Sequence, residues 1–455
     1  MKISIGYLLK GTASTIAADG FTQALRLATN VILARLLAPE LFGIMLIVNS
    51  LRTGIELMSD VGIGQNIIYH QDGNNPDFYN TAWTLQVIRG VVVWLLALAA
   101  AAPLAKFYQS PIIVYVVPFT AFNMVLVGFT SISQFLLRKR LRINKLNLFE
   151  VVTSLISSIV YVTLAYLSPN LWSLVFGGLF ATMITMIGSY LLLWDVSQRF
   201  HLSKRFTWEI LHFGKWIFLS TIVYFLATNF DRLYLAKVIP LELLGVFGIA
   251  RTISDLAGTV VMRLGNYVLF PFIASHSQMP RSELCGQLTA PRIRLLGLAA
   301  LGFAFSIAAI DLAVKLLYDQ RYHAASWMLP ILLFGSWFAM LANLNEATLL
   351  GLGRPLYSAV GNGVKFAFLL IGLPQSVSSY GVLGGIFVMV LAEISRYVAL
   401  YIGQRREQFS FGRQDVLVTL LGFALLGFLE WLRWIFGFGT SFESLPIPGH
   451  LLGNG

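Results

Sequence analysis

Val91-Val-Val-Trp-Leu-Leu-Ala-Leu-Ala-Ala-Ala-Ala102 contains no charge, no turn former and no alternation of polar with apolar side chains. A half-buried strand needs a period of two, and so does a strand of a membrane barrel with a wet lumen. An unbroken apolar run satisfies its backbone in hydrocarbon only as a helix. Extended to its nearest breakers, the run reads as one membrane span, Thr81 to Phe107, and stretches of the same kind recur from end to end.

The composition generalises that reading. Of 455 residues, 57% are hydrophobic and 12% charged, and mean hydropathy is +0.75. A soluble domain carries about 25% charged residues. The chain is therefore read as an all-α integral membrane protein. Spans are expected near Thr12 to Leu37, Leu41 to Ile68, Thr81 to Phe107, Ile112 to Leu137, Leu148 to Leu167 and Leu171 to Trp194. A second series lies near Ile210 to Ala236, Leu241 to Ala274, Leu295 to Leu317, Trp327 to Leu350, Tyr357 to Leu373, Val382 to Ile402 and Val416 to Phe436. This divides the chain into a six-helix lobe over 1–197, a cytoplasmic linker over 198–209 and a second six-helix lobe over 210–403. A last segment, 404–455, holds a cytoplasmic loop, an extra transmembrane helix and a tail. The residues after Met1 lead into a first span and do not look like a cleavable signal peptide.

Basic residues set the orientation. Arg138, Lys139, Arg140, Arg142 and Lys145 lie between spans four and five; Arg199, Lys204 and Arg205 follow span six; Arg281 and Arg292 follow span eight. Arg405, Arg406 and Arg413 follow span twelve, whereas the alternate loops hold little beyond Lys106 and Arg321. The N-terminus is expected in the cytoplasm. The net charge of +11 thus serves topology and anionic lipid, not nucleic acid. Arg138, Lys139, Arg140 and Arg142 are candidate contacts for lipid headgroups. One cysteine, Cys285, excludes an intramolecular disulfide, and six scattered histidines show neither a catalytic triad nor metal-ligand spacing. No enzyme site, metal or cofactor is expected.

Leu27-Ala-Thr-Asn30 returns as Leu226-Ala-Thr-Asn229. Ala34-Arg-Leu-Leu-Ala-Pro-Glu-Leu-Phe-Gly43 returns as Ala236-Lys-Val-Ile-Pro-Leu-Glu-Leu-Leu-Gly245. An even number of spans separates the copies, so the two lobes share one orientation, related by a pseudo-two-fold axis along the membrane normal.

Charges inside the spans cost roughly 2.5–3.5 kcal/mol each at the bilayer centre, so each needs a partner, a cavity or a function. Arg52 with Glu56 and Arg251 with Asp255 are spaced i,i+4 on one helical face. Arginine presents a planar fork to phosphate oxygens and keeps its charge at any biological pH. Arg26, Arg52, Arg89 and Arg251 form a candidate diphosphate set, with Asp231 and Arg232 in the same cavity. As neighbours on a helix, those last two diverge by about 100° and are not expected to share a partner. Asp60, Glu346 and Glu393 are candidates for a coupling cation, although each also suits helix ends or packing.

Leu36-Leu-Ala-Pro-Glu-Leu-Phe-Gly43 followed by Ser59-Asp-Val-Gly-Ile-Gly-Gln65 resembles the N-terminal signature of the polysaccharide flippases of the multidrug/oligosaccharidyl-lipid/polysaccharide exporter superfamily. Leu171-Trp-Ser-Leu-Val-Phe-Gly177, Asn229-Phe-Asp-Arg-Leu233 and Leu349-Leu-Gly-Leu-Gly-Arg-Pro355 fit the same family in order. The resemblance implies alternating access between two six-helix lobes in a bacterial inner membrane. The implied cargo is an undecaprenyl-diphosphate-linked oligosaccharide for exopolysaccharide, capsule or O-antigen, and other polysaccharide-assembly membrane proteins are possible partners. Three alternatives stay open at this point: a cation-coupled multidrug or small-solute exporter of the same superfamily, a membrane glycosyltransferase or polymerase, and a scaffold.

Overall fold

The computed structural model describes residues 5–59, 62–140, 142–193, 196–264, 269, 272, 273, 276, 279–443 and 445. All regular structure among them is helical. In the first half run α1 (Ile5–Leu36), α2 (Pro39–Ser59), α3 (Ile63–Tyr69), α4 (Pro76–Phe107), α5 (Ile113–Phe129), α6 (Ser133–Lys139), α7 (Ile143–Leu167) and α8 (Leu171–Tyr190). Then follow α9 (Lys204–Val238), α10 (Leu241–Leu264), α11 (Arg281–Leu317), α12 (Ala325–Gly351), α13 (Leu356–Arg406) and α14 (Gly412–Ile435). The starts are chemically marked. Asn75 Oδ1 accepts the Asp77 amide ahead of Pro76, and Asn170 Oδ1 accepts the amides of Trp172 and Ser173.

Among the described residues, eight helices are long and apolar enough to cross a membrane, or nine if α5 and α6, bent by 52°, form one broken span. The expected spans one, seven and eight are helical as α1, α9 and α10 but are not among those eight. They are the helices that hold Asp19, Arg26, Asp231, Arg232, Arg251 and Asp255. The end of the expected eighth span, beyond 264, lies largely outside the described residues.

α13 contains two of the expected spans. They are separated at Gly381, which takes φ 62° and ψ −153°, a region open essentially to glycine alone. Gly381→Ala is expected to cost about 1–3 kcal/mol through backbone strain; a thermal melt of the detergent-solubilised variant checks this.

The chain divides into two compact units, 1–222 and 223–455. The division falls inside α9, not in the expected linker. The linker is docked on the first unit: the amides of Arg199, His201 and Ser203 donate to Asn80 Oδ1, Thr84 Oγ1 and Thr81 Oγ1 of α4 at 2.9–3.1 Å. Phe206 and Ile210 of α9 join Phe78, Trp83, Leu136 and Leu137 in one buried cluster. Within the first unit α1 packs on α7, and α2 and α4 pack on α5. In the second, α10 and α11 pack on α12, and Phe230 of α9 meets Phe366 of α13 with ring centroids 5.5 Å apart.

The extra helix α14 belongs firmly to the second unit. Near its start Asp415 takes Arg292 Nη1 at 2.5 Å, with side chains 1% and 3% exposed. Near its end Arg433 grips Asp311 through two bonds, at 2.7 and 3.0 Å. Arg292, expected among the cytoplasmic loop charges, therefore lies inside α11 and is paired with a buried carboxylate.

Candidate functional site

The second unit ties most of the charges singled out from its sequence into one network. Arg232 Nη2 lies 2.6 Å from Asp255 Oδ2, and Arg251 Nε lies 3.3 Å from Asp255 Oδ1 and 3.8 Å from Asp231 Oδ2. Asp231 and Arg232 thus face different partners, as their spacing requires. Lys365 Nζ sits 2.5 Å from Glu393 Oε1. Arg396 binds Glu346, reaches Asn343 Oδ1 at 3.0 Å and lies 4.0 Å from Glu393. Ser358 also donates to Glu346. Of the acidic coupling candidates, Glu346 and Glu393 are each held by fixed cations, and Asp60 lies outside the described residues. Arg251, named for the diphosphate set, is likewise engaged by two carboxylates.

In the first unit Arg205 and Glu209 at that spacing lie 3.0 Å apart, but the pair expected from sequence is not made. Arg52 and Glu56 form no ion pair, and Arg52 Nε is buried with no hydrogen-bond partner. Arg52 is near enough to Tyr161 to act electrostatically on its hydroxyl. Arg89 has a structural task. Its Nη2 donates to the Glu56 carbonyl at 2.7 Å and its Nε to Ser59 Oγ at 3.0 Å, which caps the end of α2. Among the basic run, Lys139 is also committed: its ammonium donates to the carbonyls of Ile67, Ile68 and His70 at 3.1, 3.2 and 2.5 Å. Arg138, Arg140 and Arg142 are exposed at the surface, with Arg138 Nη2 3.4 Å from Glu150 Oε1.

A cavity of about 460 Å³ opens beside these residues, wholly within the first unit. This is within the ~300–1,000 Å³ range of sites that hold drug-sized ligands. Arg26, Thr29 and Asn30 line it from α1, with Thr185 from α8. α7 contributes Glu150, Thr153, Ser157 and Tyr161, one helical face at spacings of three and four. α1 and α7 are held in register by Asn147, whose Nδ2 donates to Ser14 Oγ and Thr15 Oγ1 at 3.0 and 3.1 Å. Tyr161 lies against the glycine pair of α8: a Cβ on Gly177 would stand 2.5 Å from its ring. At one end the walls close in the apolar cluster of Leu33, Leu37, Ala165 and Leu174; at the other stands the Glu150–Arg138 pair. The hydroxyl face of α7 was not singled out from sequence, although serine and threonine repeating along one face of an apolar helix is a readable signal.

Arg26 is exposed to this cavity and has no ion-pair partner among the described residues. The cavity offers a guanidinium for an anion and a lining rich in hydroxyl groups.

Residues 32–326 match a family described as polysaccharide biosynthesis protein. The chain is 27% identical over 271 residues to the amylovoran biosynthesis protein AmsL of Erwinia amylovora, covering 59% of this chain and 70% of that protein. It is 21% identical over 305 residues to the teichuronic acid biosynthesis protein TuaB of Bacillus subtilis, covering 66% of this chain and 62% of that protein. The match thus spans less than two thirds of the second relative's length. In fold, the chain is similar to the lipid II flippase MurJ in its inward closed conformation, with a TM-score of 0.73, 13% identity and 92% of each chain covered.

Proposed function

The chain belongs to the polysaccharide biosynthesis protein family, and on that premise we propose that this multi-pass membrane protein is a flippase for a lipid-linked oligosaccharide. The cargo in this reading is an undecaprenyl-diphosphate-linked repeat unit, and the membrane is a bacterial inner membrane with the N-terminus in the cytoplasm. One observation carries the reading: an unpaired Arg26 in a hydroxyl-lined cavity of an apolar unit, with the unpaired Nε of Arg52 nearby. An arginine that lines a cavity without an ion-pair partner can offer its planar fork to phosphate oxygens. A diphosphate that arrives and departs is a partner of the right charge. MurJ flips lipid II and shares the fold, and the two curated relatives serve amylovoran and teichuronic acid biosynthesis; together these support a glycan on the cargo.

The mechanism is alternating access between the two lobes. With the N-terminus inside, the Glu150–Arg138 end of the cavity faces the cytoplasm and the Leu33–Leu174 cluster seals the outer end. The exposed Arg138, Arg140 and Arg142 gather the anionic headgroup, and Arg26 and Arg52 take the diphosphate while the polyprenyl tail stays in lipid. Outward movement of about two negative charges is favoured by roughly 4–5 kcal/mol per 100 mV, inside negative. That is sufficient drive without an exchanged cation, and Glu346 and Glu393 are already neutralised by arginine and lysine.

Deleting the gene in its host tests the function. Lipid-linked repeat units are expected to accumulate on the cytoplasmic face of the membrane while surface polysaccharide is lost. Unchanged lipid-linked pools on both faces would refute the flippase reading and favour export of a small solute.

A further inference from the structure

Phe200, Leu202, Trp208 and Leu211 are 66%, 54%, 71% and 43% exposed, all in the short stretch that leads from α8 into the first turns of α9. Single exposed apolar side chains are ordinary on any surface, whereas a cluster of large ones marks a contact. On α9, Phe206 and Ile210 form one face, buried in the cluster that holds Leu136 and Leu137 of α6. At about 100° per residue, Lys204, Trp208 and Leu211 stand on the opposite face. The start of α9 is therefore apolar on two opposite sides, and the described chain covers one of them. Ahead of α9 the main chain of 199–203 is bound to α4, and Phe200 lies over Trp83 with ring centroids 5.0 Å apart.

The depth of this face follows from α4. Its 32 residues reach about 48 Å, roughly 18 Å beyond the hydrocarbon of a bilayer. The charge-free run of α4 begins only after Arg89, so the excess falls on its polar first turns. Asn80, Thr81 and Thr84, the acceptors that hold the linker, lie in those turns. The linker is thus placed at the level of lipid headgroups. Its charges are mainly cationic. Glu209 is held by Arg205 at 3.0 Å and by His70 at 3.4 Å, and Asp77 lies 3.7 Å from His201. Arg199 and Lys204 are exposed and form no ion pair among the described residues. We propose that Arg199 to Leu211 is a docking face for anionic membrane lipid. Phe200, Leu202, Trp208 and Leu211 enter the boundary between headgroups and acyl chains, and Arg199 and Lys204 extend their stems to lipid phosphates. An acidic protein would answer the two cations but would have to displace lipid from the four apolar side chains. The proposal needs only that the chain spans a membrane and is independent of what it carries.

The test uses the full chain with Cys285→Ser, labelled with a fluorophore at Leu202→Cys or, separately, at Leu211→Cys, in phosphatidylcholine nanodiscs. Either phosphatidylglycerol or phosphatidylcholine brominated on its acyl chains is added as a quencher. At equal, low mole fraction the brominated phosphatidylglycerol is expected to quench both labels more efficiently, by about fivefold for each of the two unpaired cations. Aqueous acrylamide is expected to quench neither label well. Arg199→Gln with Lys204→Gln is expected to bring the two lipids to within about twofold of each other, since the apolar contact remains while the charge term is removed. Trp208→Ser is expected to weaken quenching by both lipids at the Leu211 position. The two label positions lie on different elements, so disturbance of one leaves the other to decide. Equal quenching by the two lipids in the unsubstituted face overturns the anionic assignment. Labels open to acrylamide and quenched by neither lipid overturn the docking face altogether and leave this surface to an acidic protein.

Discussion

Replacing Arg26 and Arg52 together by alanine is expected to abolish glycan export while leaving the protein folded and inserted. Each charge-assisted hydrogen bond to phosphate is worth about 1.5–3 kcal/mol, so losing one from each residue weakens diphosphate binding by roughly two to four orders of magnitude. Stability moves little because neither guanidinium supports the fold. Among the described residues Arg26 has no ion pair and Arg52 Nε has no acceptor, so alanine breaks no observed ion pair in either place. The check is surface polysaccharide in a complemented deletion strain, read beside the amount of protein in the membrane. A double variant present at wild-type level that still exports would remove both residues from the site. Arg89→Ala is the informative contrast, since it strips the cap from α2 and acts on the fold instead.

The second large effect is one of stability. Lys365 and Glu393 are 6% and 7% exposed, 2.5 Å apart. Lys365→Met strands the Glu393 carboxylate in the interior of the second unit, and breaking such a pair costs about 3–5 kcal/mol. The nearby Arg396, 4.0 Å away, holds the loss toward the lower end. Lys365→Met with Glu393→Leu is expected to recover most of it, because apolar replacement of a whole buried pair is neutral to stabilising. Melting temperatures of the purified variants decide this. If the double variant melts no higher than the single, the pair is not what holds these helices.

Hydropathy alone was enough to see the helices. Every expected span overlaps a described helix, because lipid leaves the backbone no other choice. Even so, Leu41 to Ile68 is divided between α2 and α3, Ile112 to Leu137 bends by 52° between α5 and α6, and the end of Leu241 to Ala274 lies largely outside the described residues. What it missed depends on neighbours. Arg52–Glu56 and Arg251–Asp255 have identical spacing, yet only the second is paired. An i,i+4 spacing permits contact, and Asp231 and Arg232 from α9 are what draw the second pair into a network. Lys365 and Glu393 lie 28 residues apart, so no local pattern links them. The docking of the segment after α8 uses main-chain amides on Asn80, Thr81 and Thr84, a contact to which the side chains of 199–203 give no clue. The family signature, carried by short motifs in order, was legible and matches residues 32–326. The hydroxyl-rich cavity was not, since α1, α7 and α8 build it together and no local pattern joins them.

The network of the second unit also bears on voltage. Arg232, Arg251, Lys365 and Arg396 stand against Asp231, Asp255, Glu346 and Glu393, four cations and four anions bound to one another. A cluster that moves with its pairs intact carries no gating charge, however far it travels through the field. The membrane potential then has little to grip in this part of the protein, and its work is delivered to the cargo. Turnover would follow the charge of what is carried: current from each cycle should scale with the phosphates aboard, and an empty return should be electrically silent there.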